Sequence, residues 1–186
     1  QIDAAGNHIW DTLYRPSGWI GTVADQVLRV KRTKDHGFIA TGNYGGYRAA
    51  PKEAGVFMKF DSSLNYVWKS ENLFNTTAAS AVFELADGSF VAGGCHETDP
   101  ITEDWQVRIA KVDSSGGTLW KRTYGTPSHD YCYDMIQTTD GGYLLCGRSY
   151  IPSQNKVPLY LIKTNCMGLL TEPQANFTYT PTSTTT

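Results

Sequence analysis

The chain has 186 residues, with 16 Lys and Arg against 18 Asp and Glu, for a net charge of −2 when His is neutral. A balance this even argues against a dedicated nucleic-acid binder, which usually carries a basic stripe, and against a polybasic membrane-surface module. Charged residues make up 18% and aromatic residues 12%, with 18 Gly, and no apolar run approaches the ~20 residues of a membrane helix. This composition favours an all-β extracellular protein of one or two domains.

The chain begins out of phase with the pattern that follows it. Residues 1–3 align with residues 59–61, at the end of a predicted strand, and residues 8–14 form the next predicted strand. The first 14 residues are therefore predicted to be the end of a preceding repeat, or a strand that completes the last one.

The next segment contains four predicted strands. Residues 27–33 alternate, with Leu28 and Val30 on one face and Arg29 and Lys31 on the other, which is the period-two pattern of a half-buried strand. An Asp/Gly turn, a strand over 38–42, a longer loop, a strand over 56–61 and a strand over 66–71 follow. Four short strands in about 50 residues match the size of one β-propeller blade.

The same pattern returns twice, with steps of 52 or 53 residues between equivalent positions. The recurring residues are Asp35, Asp87 and Asp140 at a turn, Lys59, Lys111 and Lys163 in a third strand, and Trp10, Trp68 and Trp120 in a fourth. We interpret all nine as structural residues of the repeat, with the Trp as a packing residue. Three agreeing sets at one period predict a repeat architecture.

The repeats predict three propeller-type blades of four antiparallel strands, at about 15–71, 72–123 and 124–170. The last repeat has no fourth strand that carries Trp. Closed propellers have about 4–8 blades. We therefore expect part of a larger propeller, or a unit that assembles with copies of itself.

The third repeat carries a family resemblance. It reads LWKRTYG from Leu119, QTTDGGY from Gln137 and YLIKTN from Tyr160, with Asp130 between the first two motifs. These motifs resemble a repeat of bacterial and archaeal secreted surface proteins, W-x-x-T-Y/F-G-G, D, Q-T-x-D-G-G-Y and a strand ending in K-x-D. The resemblance covers residues 1 to about 170 and departs at His36. It implies propeller blades and a secreted or cell-surface location rather than a reaction.

The tail, residues 171–186, has two interpretations. Residues 173–181 are similar to the first strand of PKD-type immunoglobulin-like domains, and the remainder is rich in Thr and Pro. The tail is thus predicted to be a linker or the start of a PKD-like domain. Both interpretations predict further domains of the same polypeptide.

A ligand site is predicted on one rim of the repeats. The loops 44–53, 95–105 and 148–155 differ in content, and the first repeat inserts five or six residues around 16–21. Variable loops on a fixed scaffold commonly carry function, and aromatic rings with polar neighbours suit a sugar. The ligand-binding candidates are Trp19, Tyr47, Arg48, His96, Trp105, His129, Arg148 and Tyr150. The alternative is that these rings cover strand ends or pack neighbouring blades.

The acidic loop of the second repeat is a weak metal candidate. Glu97, Asp99, Glu103 and Asp104 offer Ca²⁺ ligands, but their spacing matches no EF-hand and Pro100 interrupts them. A solvated acidic loop is predicted instead, with no metal and no cofactor. No catalytic motif occurs, so no catalytic residue is assigned.

The four cysteines, Cys95, Cys132, Cys146 and Cys166, contain no C-x-x-C motif. Their even number favours two disulfides in an oxidising compartment, with free buried thiols as the alternative. Three connectivities are open, including Cys132 with Cys146 and Cys132 with Cys95. Asn75 and Asn176 begin N-glycosylation sequons.

Together these features predict a secreted or cell-surface module that binds an extracellular glycan or surface protein, without catalysis, nucleic acid or membrane insertion. The first alternative is a glycan-degrading enzyme that uses Asp104 or Asp130. The second alternative is a structural spacer or filament subunit that contacts copies of itself.

Overall fold

The computed structural model describes residues 4–8, 26–44, 54–75, 79–99, 104–126, 128–171 and 175–177. Within these ranges the chain forms twelve β-strands and one short 3-10 helix, Pro152–Gln154. None of the helical structure described there is long and apolar enough to span a membrane. The prediction of an all-β protein built from antiparallel strands is confirmed.

The first sheet consists of β1 (Gln26–Arg32), β2 (Phe38–Tyr44), β3 (Ala54–Phe60) and β4 (Tyr66–Asn75), paired antiparallel in chain order. The strands predicted at 27–33, 38–42, 56–61 and 66–71 agree with these bounds to within a few residues. The turn between β1 and β2 closes because the Asp35 carboxylate accepts a hydrogen bond from the Gly37 amide at 3.1 Å. The predicted strand at residues 8–14 lies outside the described residues except for His8.

The second sheet repeats this order with β5 (Ala79–Glu84), β6 (Phe90–Asp99), β7 (Asp104–Val112) and β8 (Thr118–Tyr124). The third sheet contains β9 (Asp130–Gln137), β10 (Tyr143–Ser149) and β11 (Leu159–Thr164), and its fourth place is taken by β12 (Ala175–Phe177). β12 comes from the tail that the sequence assigns to a linker or a PKD-like domain. The sequence has Glu172 seven residues after Asn165, where the other repeats have Trp.

The sheets pack face to face in chain order. Side chains of the first sheet, including Ile39 and Phe57, form one core with Val82 and Ala92 of the second. A second core joins the second sheet to the third. The first strands also meet in series, with β1 against β5 and β5 against β9. Within the described ranges the sheets do not close into a ring.

A tryptophan on the outer strand connects each of the first two sheets to the next one. The Trp68 indole Nε1 donates a hydrogen bond to the carbonyl oxygen of Ser114 at 2.8 Å, and its ring lies on Gly116 in the β7–β8 turn. Trp120 of the second sheet likewise lies against Gly168, in the turn that follows β11. Trp10 is outside the described residues. We call this contact of a Trp with the next sheet's turn the Trp clasp.

Each recurring Lys forms an ion pair with the recurring Asp of its own sheet. The shortest N–O distances are 2.7 Å for Lys59 with Asp35, 3.0 Å for Lys111 with Asp87 and 2.6 Å for Lys163 with Asp140. Each pair joins the turn between the first two strands to the third strand. The recurring Asp and Lys residues therefore hold the same place in all three sheets.

Candidate binding rim between the second and third sheets

The structure brings together four of the eight predicted ligand-binding residues at the junction of the second and third sheets. Trp105 lies at the start of β7, and Arg148 lies near the end of β10. His129 precedes β9, and its carbonyl oxygen accepts a hydrogen bond from the Tyr150 amide at 2.9 Å. Trp19, Tyr47 and Arg48 lie outside the described residues.

Tyr131 joins these side chains into a row, which we call the aromatic row: Trp105, Tyr131 and Arg148. The Trp105 and Tyr131 rings are stacked, with centroids 6.1 Å apart and planes 17° apart. The Arg148 guanidinium carbon lies 4.6 Å from the Tyr131 centroid, within cation–π distance. Both rings are half-buried, whereas Arg148 is exposed.

Sequence reasoning missed Tyr131, because a shift in strand register decides its cross-strand partner. Tyr131 follows Asp130 at the start of a first strand, and Arg148 is its direct cross-strand partner. Directly opposed residues of an antiparallel pair lie close enough for their side chains to interact. Aligning the two predicted strands from their turn pairs Arg148 with Cys132 instead, and an irregularity in the register between Cys146 and Gly147 moves the partner to Tyr131.

A polar network below the row fixes the loop between the two sheets. The Gln106 side-chain amide donates hydrogen bonds to the carbonyl oxygens of Thr126 at 2.7 Å and Ser128 at 3.2 Å, and to the Asp104 carboxylate at 3.2 Å. The Asp130 carboxylate accepts hydrogen bonds from the Thr126 amide at 2.6 Å and from the Thr126 hydroxyl at 3.2 Å. The network therefore connects the start of β7 to the loop that precedes β9.

Burial also sets the chemistry of Asp130. Its exposed fraction is 0%, and burial, with a smaller contribution from the charge of Asp104, raises the pKa of its carboxyl. Hydrogen bonds from Ser149 and Thr126 act in the opposite direction. Because the side chain is inaccessible and engaged within the loop, the geometry favours a role in positioning the loop over contact with a substrate.

Two histidines of the prediction occupy different environments. His96 lies in β6 opposite Gln106 and is only 5% exposed. Burial lowers the pKa of its imidazole to about 4, so it is neutral at physiological pH. His129 is half-buried, and its Nδ1 is buried without a hydrogen-bond partner. The rim therefore holds one imidazole nitrogen whose hydrogen-bonding capacity is unused.

The acidic loop is described only in part. Glu97 is half-buried near the end of β6 and Asp104 begins β7, whereas the Asp99 side chain and Glu103 lie outside the described residues. Among the His, Cys, Asp and Glu side chains that the structure describes, no group is arranged to hold a metal ion.

The disulfide prediction requires correction, because none of the four cysteines is bridged. Cys132 pairs in register with Gly147, and Cys146 with Asp134, so the two thiols lie on opposite faces of the sheet. Cys95 does lie beside Cys132, since its sulfur accepts a hydrogen bond from the Cys132 amide at 3.3 Å. The Cys132 sulfur, however, is directed to the Asp134 carbonyl oxygen at 3.6 Å. Cys166 is exposed in the turn after β11.

The two glycosylation candidates lie on outer strands. Asn75 is the last residue of β4, and Asn176 is the middle residue of β12. Their side chains are outside the described residues, so glycosylation stays a prediction.

No protein-family model matches the chain, and a search of curated proteins also found no match. The resemblance to secreted surface-protein repeats and to PKD-type domains therefore stays a prediction.

Proposed function

We propose that this chain is a non-catalytic binding module of the β-propeller type, in a secreted or cell-surface protein, and that it binds polysaccharide at the aromatic row. The stacked arrangement of Trp105, Tyr131 and Arg148 is the observation that carries the proposal. The rim lies at one end of the strands, which is where loops of a rigid scaffold meet ligands.

The row has the mixture of groups that a sugar requires. Aromatic rings offer apolar faces to the C–H surface of a pyranose, and a few fixed polar groups then orient the hydroxyls. Arg148 supplies exposed N–H donors beside the rings, and Asp104 supplies a half-buried acceptor. Since Gln106 holds both Asp104 and the neighbouring loop, ligand binding meets little cost of ordering the rim.

The principal alternative is a structural spacer. Trp105 and Tyr131 also pack against the core between the second and third sheets. In this alternative the same rings only stabilise the sheet junction, and Arg148 merely covers Tyr131. This alternative predicts that Arg148→Ala does not change the affinity for any glycan.

A glycan array separates these two functions. The wild-type chain and Arg148→Ala are applied to an array of neutral and uronic-acid oligosaccharides, with Arg122→Ala as the matched control. Arg122 makes a comparable contact, with its guanidinium carbon 5.7 Å from the Trp120 centroid, but on β8 and away from the rim. Arg148 is exposed, so its removal leaves the folded core intact.

We expect wild type and Arg148→Ala to differ at least tenfold in affinity for the bound glycan, and Arg122→Ala to match wild type. A tenfold change corresponds to about 1.4 kcal/mol. An array on which the folded wild-type chain binds nothing, or equal binding by Arg148→Ala, would contradict the proposal and favour the spacer.

A further inference from the structure

The guanidinium of Arg148 is a positive charge that no described residue neutralises. Among the residues that the structure describes, no carboxylate lies within ion-pair distance of this side chain, and no acceptor receives a hydrogen bond from it. Its guanidinium carbon instead lies 4.6 Å from the centroid of the Tyr131 ring. By contrast, Arg108 donates to a threonine hydroxyl and Arg122 to a backbone carbonyl oxygen, both at 3.0 Å.

The strand register explains why no carboxylate stands opposite Arg148. Its direct cross-strand neighbours are Tyr131 on β9 and Leu159 on β11, and neither of them carries a charge. On the same side of the sheet, the nearest carboxylate in the register is that of Asp134, two positions further along the ladder. One Asp134 oxygen accepts a hydrogen bond from the Met135 amide at 2.8 Å.

Other charged groups of this region already have partners. Lys163 lies on the same side of the third sheet as Arg148 and is paired with Asp140 at 2.6 Å. The Asp104 carboxylate accepts hydrogen bonds from a hydroxyl and an amide side chain, at 3.1 and 3.2 Å. The Asp130 carboxylate is buried and bonded to the Thr126 amide. The guanidinium of Arg148 is therefore left for a ligand to neutralise.

The Tyr131 ring gives this guanidinium a defined place. A cation–π contact acts through the face of the ring and uses none of the five N–H donors of the guanidinium. Tyr131 is itself half-buried and stacked with Trp105. A side chain that already rests on such a ring loses less rotamer freedom when a ligand binds.

An exposed guanidinium with unused donors is complementary to a carboxylate. Its planar fork of N–H groups can donate two parallel hydrogen bonds to the two oxygens of one carboxylate. Polysaccharides carry carboxylates where their sugars are uronic acids. A uronic acid also keeps the apolar C–H surface that aromatic rings contact, so one sugar residue satisfies both halves of the aromatic row.

We propose that the polysaccharide bound at the aromatic row is acidic, and that Arg148 binds the carboxylate of one of its uronic acid residues. This inference rests on the proposed function, because it assigns the ligand of that same site. The net charge of the chain is −2, so the protein as a whole does not attract a polyanion. Selection of an acidic sugar therefore depends on the local contact with Arg148.

Isothermal titration calorimetry with matched pairs of ligands tests this assignment. The probes are hexamers of galacturonate, mannuronate and glucuronate, each compared with the same hexamer after its carboxylates have been reduced to alcohols. The wild-type chain is expected to bind at least one acidic hexamer more tightly than its reduced counterpart, by about tenfold or more. Raising NaCl from about 50 mM to about 500 mM should reduce this preference, because salt screens exposed charges.

Variants of two exposed arginines locate the preference. Arg148→Ala should bind both members of the pair with similar affinity, whereas Arg148→Lys should keep part of the preference, because it keeps the charge and loses the fork. Arg32→Ala is the matched control. Arg32 is exposed on β1 of the first sheet, and within the described ranges it too has no ion pair. It is expected to keep the wild-type preference.

The possible outcomes separate this assignment from the proposed function. A wild-type chain that binds the reduced hexamers as tightly as the acidic ones would overturn the role of Arg148 and leave a polysaccharide site standing. A preference that persists in folded Arg148→Ala, or that Arg32→Ala also loses, would overturn it as well, as would tighter binding of a sulfated galactose hexamer than of all three uronic acids. A folded chain, as judged by circular dichroism, that binds no hexamer and no glycan of the array would overturn both proposals.

Discussion

Two aspartates of this protein show how environment sets the ionisation of one residue type. Hydrogen bonding to the Lys59 ammonium lowers the pKa of Asp35 to about 2, whereas burial raises the pKa of Asp130. The ionised Asp35 stabilises the folded state above the carboxyl pKa of the unfolded chain, and this stabilisation is lost as the pH falls towards about 2. For Asp130, whose pKa is raised in the folded state, the contribution to stability is present at low pH and is lost as the pH rises.

Asp130→Asn tests the cost of the buried carboxylate. A raised folded-state pKa means that the Asp130 contribution to stability is present below the unfolded pKa of about 4 and is lost as the pH rises through the folded value. Asn has nearly the same shape, keeps one oxygen acceptor for the Thr126 amide and does not ionise. Its stability relative to wild type should therefore increase between about pH 3 and about pH 7.

Urea unfolding of both proteins across that pH range measures the effect. Asp87→Asn is a useful control, because hydrogen bonds from Ser89 and then Lys111 lower the pKa of Asp87 to about 2. Its stability relative to wild type should decrease with rising pH. A difference between Asp130→Asn and wild type that does not depend on pH would show that Asp130 is not destabilised by burial.

The three Asp–Lys pairs are similar in geometry but differ in burial. The Lys side chain is 6% exposed for Lys59, 15% for Lys111 and 26% for Lys163, while the Asp side chains are about 60% exposed in all three pairs. A buried ammonium depends on its partner more than an exposed one does. The lysine therefore becomes less dependent on its partner from the first sheet to the third.

The Trp clasp is a contact between neighbouring sheets that recurs with the sequence repeat, at Trp68 with Gly116 and at Trp120 with Gly168. Gly116 has φ +89°, a backbone conformation that favours glycine, and an added Cβ would lie 2.7 Å from the Trp68 ring. Gly88 has a similar φ of +79°, but an added Cβ would meet no atom within 4 Å. Both positions have a backbone conformation that would strain a residue with a Cβ, but only Gly116 contacts a Trp ring.

Comparing Gly116→Ala with Gly88→Ala therefore separates the backbone strain of a Cβ at positive φ from its clash with the Trp68 ring. Gly88→Ala is expected to cost about 1–2 kcal/mol, the penalty for a left-handed residue with a Cβ. Gly116→Ala is expected to cost about 1–3 kcal/mol more, because the methyl group displaces the indole. In a Trp68→Ala background this additional cost should disappear. Thermal unfolding of wild type, the three single variants and the Gly116→Ala/Trp68→Ala double variant measures these costs. Equal costs of Gly88→Ala and Gly116→Ala would rule out the clasp.

The strands were predictable because two local signals agree. The Asp/Gly turns fix where a hairpin reverses, and the repeat places each strand three times, so an ambiguous strand such as residues 56–61 is supported by its equivalents. The predicted bounds therefore differ little from the observed β1 to β4. The sequence predicted less accurately which face of each strand is buried. Leu28 and Val30, predicted to form the buried face of β1, are 43% and 59% exposed.

The fourth strand of the third sheet was not predictable in the same way. β12 contains three residues, Ala175–Phe177, and lies in a segment with neither the Trp nor the Asp of the repeat. Its pairing with β11 is a long-range backbone contact, and such contacts leave little trace in composition. The site was missed in part for a related reason, since Tyr131 joins the aromatic row through a cross-strand partner 17 residues away.

At the scale of the whole molecule, three similar sheets give two unlike surfaces. The rim at the junction of the second and third sheets combines rings, a guanidinium and a polar loop, whereas the outward side of the third sheet carries Ile136, Leu144 and Leu161 together with the charged residues Asp134 and Lys163. The first suits a sugar.

The most direct test of the account is a titration of the chain, with its tryptophans labelled with ¹⁵N, against the oligosaccharide that binds most strongly on the array. Trp105→Phe assigns the Trp105 indole signal. We expect this signal to shift to saturation while those of Trp68, whose Nε1 is bonded to Ser114, and Trp120 stay unchanged. Saturating glycan that leaves the Trp105 signal in place, or that moves Trp68 or Trp120 instead, would contradict binding at the aromatic row.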